Sequence, residues 1–466
     1  MENRKNINRR DFLKAMGAGA AVTTAAMYGC KPKNTVSAEG GAIGEVPTDK
    51  MTYRVNPYTG DKVSLLGYGC MRWPLRTNSK GEEEVDQDTV NELVDYAIAH
   101  GVNYFDTAPV YVRGWSETAT GIALKRHPRD KYFIATKMSN PRLVGDNISD
   151  AESYRNSVEM YHKSLRDLQV DYIDYYLLHS IGGGNGIPFL RKRFFDNGML
   201  DFLLKERETN RIRNLGFSFH GDVKAYDYLL DTGIKWDFVQ IQLNYIDWQH
   251  ATGRNVNAEY LLAELEKRNI PAVIMEPLLG GRLSRVPSQA LKIMKELHPE
   301  DSAAKWAFRY AGSPESVLTV LSGMVYMEHL QENIRTYSPL VPLKEQEYKA
   351  LEEVTDIMLN ANYVQCTECQ YCMPCPYGLD VPGVFAHYNR IVSAGKKLES
   401  SKDESYKSAR KAFLVGYDRS VPKLRQADHC ISCNLCKPLC PQNIDIPKEM
   451  QRIDHYAELL KQKIAF

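Results

Sequence analysis

The stretch GVNYFDTAPVY, Gly101–Tyr111, decides the fold. It follows a helical periodicity over Thr89–His100, and Gly101, directly after His100, reads as a helix C-terminal stop. Val102–Asp106 is then a short, mostly apolar run of the kind found in strands covered on both faces, and it ends on a carboxylate. Tyr111 stands five residues beyond Asp106. Helix, glycine, buried strand and polar turn is the rhythm of an alternating α/β chain.

The rhythm repeats on both sides. Leu66–Cys70, Tyr132–Lys137, Ile173–His179, Leu215–Ser218, Phe238–Gln242, Ala272–Glu276 and Val317–Leu321 are further strand candidates. Helical periodicity falls between them, as in Ser153–Leu168 and Ala258–Lys267. Eight strand–helix units predict a closed (β/α)8 barrel over residues 51–345 rather than an open sheet. Met51–Arg54 and Val63–Leu66, joined through NPYTGDK, read as a hairpin ahead of the first barrel strand.

A barrel of this kind keeps its chemistry at the C-terminal ends of its strands. There the second strand carries Asp106 and then Tyr111, the third ends on Lys137 and the fourth on His179. Tyrosine, with an ordinary pKa near ~10, is a poor acid–base group at neutral pH. A nearby lysine is expected to bring it down, a carboxylate to hold the lysine, and a histidine to orient a carbonyl oxygen. Each residue alone would be read as a core or structural group. Four together at successive strand ends read as a site for protonating a carbonyl as hydride arrives, or for the reverse.

FDTAPVY, the GWSE after Tyr111, TK ending on Lys137 and LLH ending on His179 together resemble the aldo/keto reductases. The resemblance implies that Tyr111 is the general acid/base, with Asp106, Lys137 and His179 completing a tetrad. It implies an NAD or NADP cofactor, a small carbonyl or alcohol substrate, and cofactor contacts at Ser218, Gln240, Glu332 and Asn333. The chain departs from the family pattern at several places. Phe219 stands where an asparagine often binds the carboxamide, and Met275 where an aromatic stacks on the nicotinamide. Gly323 and His329 replace the usual cations around a 2′-phosphate, which weakens the case for NADP. The loop after His179, IGGGNGIPFLRKRFFDNG, reads equally as a pocket wall, a docking element or a surface insertion.

Eight of the ten cysteines lie in two runs, Cys366, Cys369, Cys372, Cys375 and Cys430, Cys433, Cys436, Cys440, each closed by proline. The second has the C-x2-C-x2-C-x3-C-P spacing of bacterial ferredoxins, in which the fourth cysteine of each run ligates the other cluster. Zinc is the competing reading, but zinc ribbons use cysteines in pairs. The expectation is two [4Fe–4S] clusters in a small, mostly helical ferredoxin-like domain over residues 346–466. Cys366, Cys369, Cys372 and Cys440 would hold one cluster, and Cys430, Cys433, Cys436 and Cys375 the other. CPYGLDVP after the first run and CPQNIDIP after the second form an internal repeat. The charged segment SAGKKLESSKDESYKSAR between them reads as a helix-forming spacer. A subset of bacterial aldo/keto reductases ends in such a domain, so the resemblance extends to the C-terminus.

Arg9-Arg10-Asp11-Phe12-Leu13-Lys14, followed by a small-residue apolar stretch, resembles a twin-arginine export signal over residues 1–30. Met27-Tyr28-Gly29-Cys30 resembles a lipobox that would leave a lipid anchor on Cys30, while Val36-Ser37-Ala38 offers a cleavage site instead. Residues 31–50 read as a tether. Export of a folded chain lets clusters built in the cytoplasm travel with it, to the periplasm or an anchored position in the envelope. The 59 basic and 58 acidic residues form no dense basic stripe, so nucleic-acid binding lacks electrostatic support.

The leading reading is an oxidoreductase joining carbonyl–alcohol chemistry to electron transfer with an outside partner. Two others compete: a non-catalytic cofactor sensor with structural clusters, and an electron carrier that uses its barrel for docking.

Overall fold

A computed structural model describes residues 45–145, 147–183, 186–253, 255–398 and 400–462. The twin-arginine motif, Cys30 and most of the tether lie outside the described residues. From Val46 onward the chain forms one compact unit.

A hairpin, β1 (Tyr53–Val55) with β2 (Lys62–Ser64), precedes the barrel and pairs in antiparallel register. The barrel strands are β3 (Leu66–Gly69), β6 (Tyr104–Asp106), β7 (Phe133–Met138), β8 (Ile173–Ile181), β9 (Ile212–Phe219), β10 (Phe238–Gln242), β11 (Ala272–Met275) and β12 (Val317–Ser322). They close in the order β10-β11-β12-β3-β6-β7-β8-β9, all neighbours parallel. A second small hairpin, β4 (Leu75–Thr77) with β5 (Glu83–Val85), was not signalled by the sequence because β4 is exposed throughout and lacks alternation. Cys70 leaves the first strand for a short 3-10 turn.

Strand periodicity of two divides each strand between two cores. Tyr104, Ala135, Tyr175, Leu177, Phe238, Val273, Leu318 and Leu321 fill the barrel interior together with Val63 of the hairpin. Phe105, Ile134, Tyr176, Leu178, Phe217, Val239, Ile241 and Ile274 face the helices instead. The hairpin thus plugs the N-terminal end. Arg54 fastens it by donating to Gly312 O at 2.7 Å and Val317 O at 2.5 Å. The opposite end is left for polar groups.

The barrel core reaches further than residue 345. Ala350, Leu351, Val354 and Met358 of the Glu345–Asn360 helix share it, and so does Tyr363; the second core begins at Val364. Arg309 to Glu347, at 2.5 Å, ties that helix to the barrel's Ala303–Gly312 helix. The division between the two domains therefore falls at residues 363–364.

Helices Val381–Ser393, Tyr406–Ser420 and Ile446–Gln462 build the C-terminal domain. The repeat seen in the sequence has a mechanical meaning. In CPYGLDVP, Asp380 accepts from Gly383 N and starts the first helix; in CPQNIDIP, Asp445 accepts from Lys448 N at the start of the last. The proline that follows each falls in the first turn, where its missing N–H costs nothing. The segment between the cysteine runs is more than a spacer. Its first part is irregular, and its last residues open the Tyr406–Ser420 helix, whose Ala409, Phe413 and Tyr417 are buried in the second core. Their spacing of four residues gives that helix an apolar face despite the charges around it.

Candidate active site

The inward-facing positions of three neighbouring strands converge at the barrel's C-terminal end. Asp106 follows Tyr104 by two residues, Lys137 follows Ala135, and His179 follows Leu177, so all three continue interior rows. Tyr111 arrives from the turn after β6, where Val112 and Arg113 adopt positive φ values of 48° and 57°. Such backbone is disfavoured for side-chain-bearing residues and persists where its surroundings hold it.

Lys137 is fully buried and donates to Asp106 Oδ1 at 2.5 Å and Thr107 O at 2.8 Å. Burying two charges is costly, and only mutual contact with added hydrogen bonds offsets it. Lys137 Nζ also lies 5.0 Å from the centre of the Tyr111 ring. The Tyr111 and His179 rings meet edge-on at 6.0 Å. Tyr111, Lys137, Asp106 and His179 are therefore brought to one place.

The electrostatics differ from the sequence expectation for tyrosine. Burial pushes Tyr111 well above its ordinary value, and the nearby Tyr371, Asp106, Cys70 and Glu276 push it further the same way. Lys137's hydrogen bonds go to Asp106 and Thr107 rather than to the phenol, and burial lowers Lys137 itself. Tyr111 is thus held as a neutral phenol, a proton donor. Burial, then Lys137, Arg193 and His220, hold His179 well below its ordinary range, so its ring is neutral.

His179 is positioned from outside the tetrad. Its Nδ1 is hydrogen-bonded to Ser139 Oγ, and Arg193 Nη2 donates to its carbonyl at 2.7 Å. Arg193 also reaches Asn140 Oδ1 at 3.1 Å. It comes from the Gly186–Phe194 helix, with Leu190, Arg193 and Phe194 buried, so the glycine-rich loop supplies a prop for His179 rather than a surface insertion. The GWSE motif has a similar supporting role. Ser116 Oγ binds Cys70 O and Thr107 Oγ1, each at 2.8 Å, and buried Glu117 accepts from Thr136 Oγ1 at 2.5 Å, next to Lys137. Burial pushes Glu117 up to about 7.

The cofactor positions separate into two groups. Ser218 and Gln240 face each other across β9 and β10 and both point inward. Ser218 Oγ accepts from Ser180 N at 2.8 Å and keeps its own O–H, while buried Gln240 Oε1 has no hydrogen-bond partner among the described residues. A free acceptor beside a free hydroxyl fits an amide-bearing ring. Glu332 and Asn333 lie on the Met327–Thr336 helix and are engaged with Ser302 and with Ser322 Oγ respectively.

None of the eight clustered cysteines is in a disulfide. Cys366, Cys369, Cys372 and Cys440 line one cavity; Cys375, Cys430, Cys433 and Cys436 line another. Each set takes three thiols from one run and its fourth from the other. Four thiols around a cavity suit soft cluster iron. Burial raises Cys372 to about 12 and Cys436 to about 11, so binding iron must displace their protons.

Ser139, Arg193 and Glu276 also belong to this region and were absent from the sequence-derived set. Glu276 could have been found by the rule that found Asp106, since it is a carboxylate ending a strand candidate.

Comparison with known proteins identifies the family and the appended domain. The model for the aldo/keto reductase family matches residues 65–356, that for a 4Fe-4S dicluster domain matches 365–446, and that for a twin-arginine translocation pathway signal sequence matches 6–26. Protein tas of Escherichia coli (strain K12) is 35% identical over 140 residues, 28% of this chain, and the match spans only 38% of that protein's length. L-galactose dehydrogenase of Arabidopsis thaliana is 28% identical over 331 residues, covering 66% of this chain and 95% of that one. The uncharacterized oxidoreductase YqkF of Bacillus subtilis (strain 168) is 27% identical over 317 residues, covering 63% and 93%. Among solved structures, aldo-keto reductase AKR11C1 from Bacillus halodurans shares the fold, with a TM-score of 0.50 and 24% identity over 65% of this chain and 96% of that one. With its barrel, its strand-end residues and a family match over most of its length, the chain belongs to the aldo/keto reductase family, and it carries a 4Fe-4S dicluster domain and a twin-arginine signal sequence besides.

Proposed function

We propose that the protein is an exported oxidoreductase that interconverts a carbonyl and an alcohol at Asp106, Tyr111, Lys137 and His179, and whose clusters exchange electrons with an outside partner. The observation that carries this reading is the convergence of those four side chains, with Lys137 held at 2.5 Å from Asp106 beneath the Tyr111 ring. In the reducing direction Tyr111 gives its phenolic proton to the carbonyl oxygen, and neutral His179 donates a second hydrogen bond to that oxygen when Ser139 occupies its other nitrogen. Lys137, held by Asp106 and lying 5.0 Å from the centre of the Tyr111 ring, balances the phenolate left behind. NAD or NADP, bound through Ser218 and Gln240, would supply the hydride. Clusters on the eight cysteines would supply one-electron transfer. The name of the Arabidopsis relative, a dehydrogenase of L-galactose, favours a sugar-like carbonyl or hydroxyl as substrate.

Anaerobic assay of the intact protein against aldehydes, ketones and sugars with NADH and NADPH, with extraction and identification of bound nicotinamide, tests the reading. No turnover with either nucleotide across such a series overturns it.

The pH dependence is a sharper check. His179 is shifted down, so it stays neutral as pH falls toward 6; Tyr111 is shifted up, so it stays protonated as pH rises toward 9. Carbonyl reduction is expected to be flat between about pH 6 and pH 9, without the inflection near 6.5 that an ordinary histidine gives. Alcohol oxidation, which needs the phenolate, is expected to rise with pH. An acid limb near 6.5 for reduction argues against these roles.

Export sets a second condition, because a freely exchanging nicotinamide pool is not expected outside the cytoplasm. The cofactor is then loaded before export and held, or is recycled in place through the clusters. Arg9→Lys together with Arg10→Lys should retain the protein in the cytoplasm, and wild-type protein from the envelope fraction should keep its nicotinamide through gel filtration. Unchanged fractionation of the variant counts against the export assignment.

A further inference from the structure

The two cysteine cavities face different surroundings. Arg72, just beyond β3, donates to Thr367 O at 2.6 Å, and Arg282, in the turn after β11, donates to Gln365 Oε1. Barrel arginines thus hold the residues on either side of Cys366. Gly280, in the same turn as Arg282, has φ +68°, and the space a Cβ would take there is filled by the Thr367 backbone. After β10, Asn255 Nδ2 donates to Gln442 Oε1 at 2.7 Å, and the Gln442 carbonyl fills the Cβ space of Gly253. Thr367 and Gln442 both line the cavity of Cys366, Cys369, Cys372 and Cys440, which therefore abuts the barrel. The outer cavity, of Cys375, Cys430, Cys433 and Cys436, is lined instead by Tyr377 and Ile431, which are 50% and 60% exposed. Cys433 itself is exposed.

The rim of that outer cavity is apolar within a charged stretch of chain. Leu424, Leu435 and Leu439 are exposed beside it, Leu424 at 80% and Leu435 at 59%. Leu435 stands between Asn434 and Cys436, which line the cavity, and Leu439 N donates to Cys436 O at 3.2 Å. Arg425 Nε donates to Gly378 O at 3.2 Å, which brings the Leu424 turn against the segment of Tyr377. Single exposed apolar residues need no explanation, but a group of them around one opening marks a contact surface. Lys423, Arg425, Lys437 and Lys448 are exposed around this group, with Asp428 and Asp445 as the facing anions. Lys437 pairs with Asp445 at 2.8 Å and Arg452 with Glu449 at 2.5 Å, which leaves the rim net basic.

We propose that this rim is the docking face for an acidic one-electron carrier protein, so that the outer cysteine cavity is the electron port and the barrel-side cavity the relay to the barrel. This rests on the reading that the clusters exchange electrons with an outside partner, and it assigns that partner's chemistry and seat. Each encounter moves one electron from the carrier to the protein, or back, with no proton or group transferred. Cys433 brings the outer site to the surface, whereas the barrel-side site lies against the loops of Arg72, Gly253 and Gly280. A small apolar centre inside a charged rim suits a partner that must bind briefly. Redox encounters bury less than about 1,200 Å² in total, with charge steering the approach and the apolar contact fixing it.

The experiment uses the intact, cluster-loaded protein under anaerobic conditions, with neither carbonyl nor nicotinamide present and with flavodoxin as the acidic carrier. Binding of oxidised flavodoxin is measured by isothermal titration calorimetry, and electron transfer from its reduced form by stopped-flow absorbance. Reduced methyl viologen, which needs no docking face, is the control. Affinity and rate are expected to fall steeply as salt is raised. They should also fall by at least about tenfold in the double variant Lys423→Glu, Lys448→Glu and in Leu435→Ser, at unchanged iron and sulfide content and unchanged methyl viologen rate. Cys433→Ala, which should empty the outer cavity alone, is expected to stop reduction by flavodoxin while the remaining cluster still accepts electrons from methyl viologen. Wild-type binding and rate in the rim variants overturn the proposal, as does a Cys433→Ala protein that flavodoxin reduces at the wild-type rate. Tighter binding of a basic carrier, cytochrome c, than of flavodoxin overturns the acidic partner. A wild-type dimer in sedimentation that Leu435→Ser dissociates gives the face to a second copy of this chain and overturns it too. The underlying reading fails separately: clusters that methyl viologen cannot reduce are structural, whereas clusters that it reduces but flavodoxin neither binds nor reduces refute the docking face alone.

Discussion

Tyr111→Phe is expected to lower kcat by at least about 100-fold for carbonyl reduction while leaving nicotinamide affinity nearly unchanged. The substitution removes one oxygen and keeps the ring, so the edge contact with His179 at 6.0 Å and the packing over Lys137 Nζ at 5.0 Å survive. What is lost is the proton donor. Neither neighbour can take its place: burial holds the His179 ring neutral, and Lys137 is committed to Asp106 and Thr107 O. The expected kinetic signature is a fall in kcat with little change in the nucleotide's KM, because the phenol's interaction strengthens only as charge develops on the substrate oxygen. Thermal stability should change little, since the phenol is lost from a site where burial already disfavours its ionised form. A variant retaining near-normal carbonyl reduction would assign proton transfer elsewhere, with Glu276 the next group to test.

The contrast between tetrad and cluster loop explains what the sequence could reveal. Asp106, Lys137 and His179 were legible because local periodicity and chain order fix them: each lies within two residues of the end of a buried strand, β7 and β8 running on to Met138 and Ile181, adjacent strands are consecutive in sequence, and the barrel rule places their ends together. The strands themselves were legible for the same reason, and β10 runs over Phe238–Gln242 as expected. Thr367 had no such signal. It is far from the barrel strands in sequence, and only its packing on Gly280 and the hydrogen bond from Arg72 show that the first cysteine run meets the barrel. Arg193 was hidden differently, because a glycine-rich run of mixed charge does not announce a helix with a buried guanidinium. The direction of the Tyr111 shift was misjudged because sequence can suggest that a lysine is near but not how deeply the phenol is buried. At this depth, burial is the largest cause of the upward shift. The boundary near 345 misled because a charged amphipathic helix looks like a new beginning when its apolar face, Leu351, Val354 and Met358, is in fact closing the old core.

The second large effect concerns the clusters, and it separates assignment by cavity from assignment by run. Anaerobically prepared wild-type protein should contain about eight irons and eight sulfides per chain. Cys440→Ala removes a thiol that belongs to the second run by sequence but lines the cavity of Cys366, Cys369 and Cys372. It is therefore expected to lose the barrel-side cluster, taking the content toward about four irons. Adding Cys366→Ala to it should cost no further iron, since both thiols face the same cavity. Adding Cys430→Ala instead should empty the second cavity as well, because Cys430 lines that one with Cys375, Cys433 and Cys436. Assignment by run predicts the reverse pattern: Cys440 with Cys430 non-additive, Cys440 with Cys366 additive. The reason to expect crossing is mechanical. Cys375 and Cys440 each precede the turn into a helix started by Asp380 or Asp445, and those helices pack in one shared core through Val384, Phe385, Met450 and Ile453. A thiol at the foot of each helix is thereby carried across to the opposite cavity, so that losing either cluster should also loosen the packing between the two halves of the domain. Stoichiometric zinc without inorganic sulfide in the wild-type protein would remove the basis for both patterns.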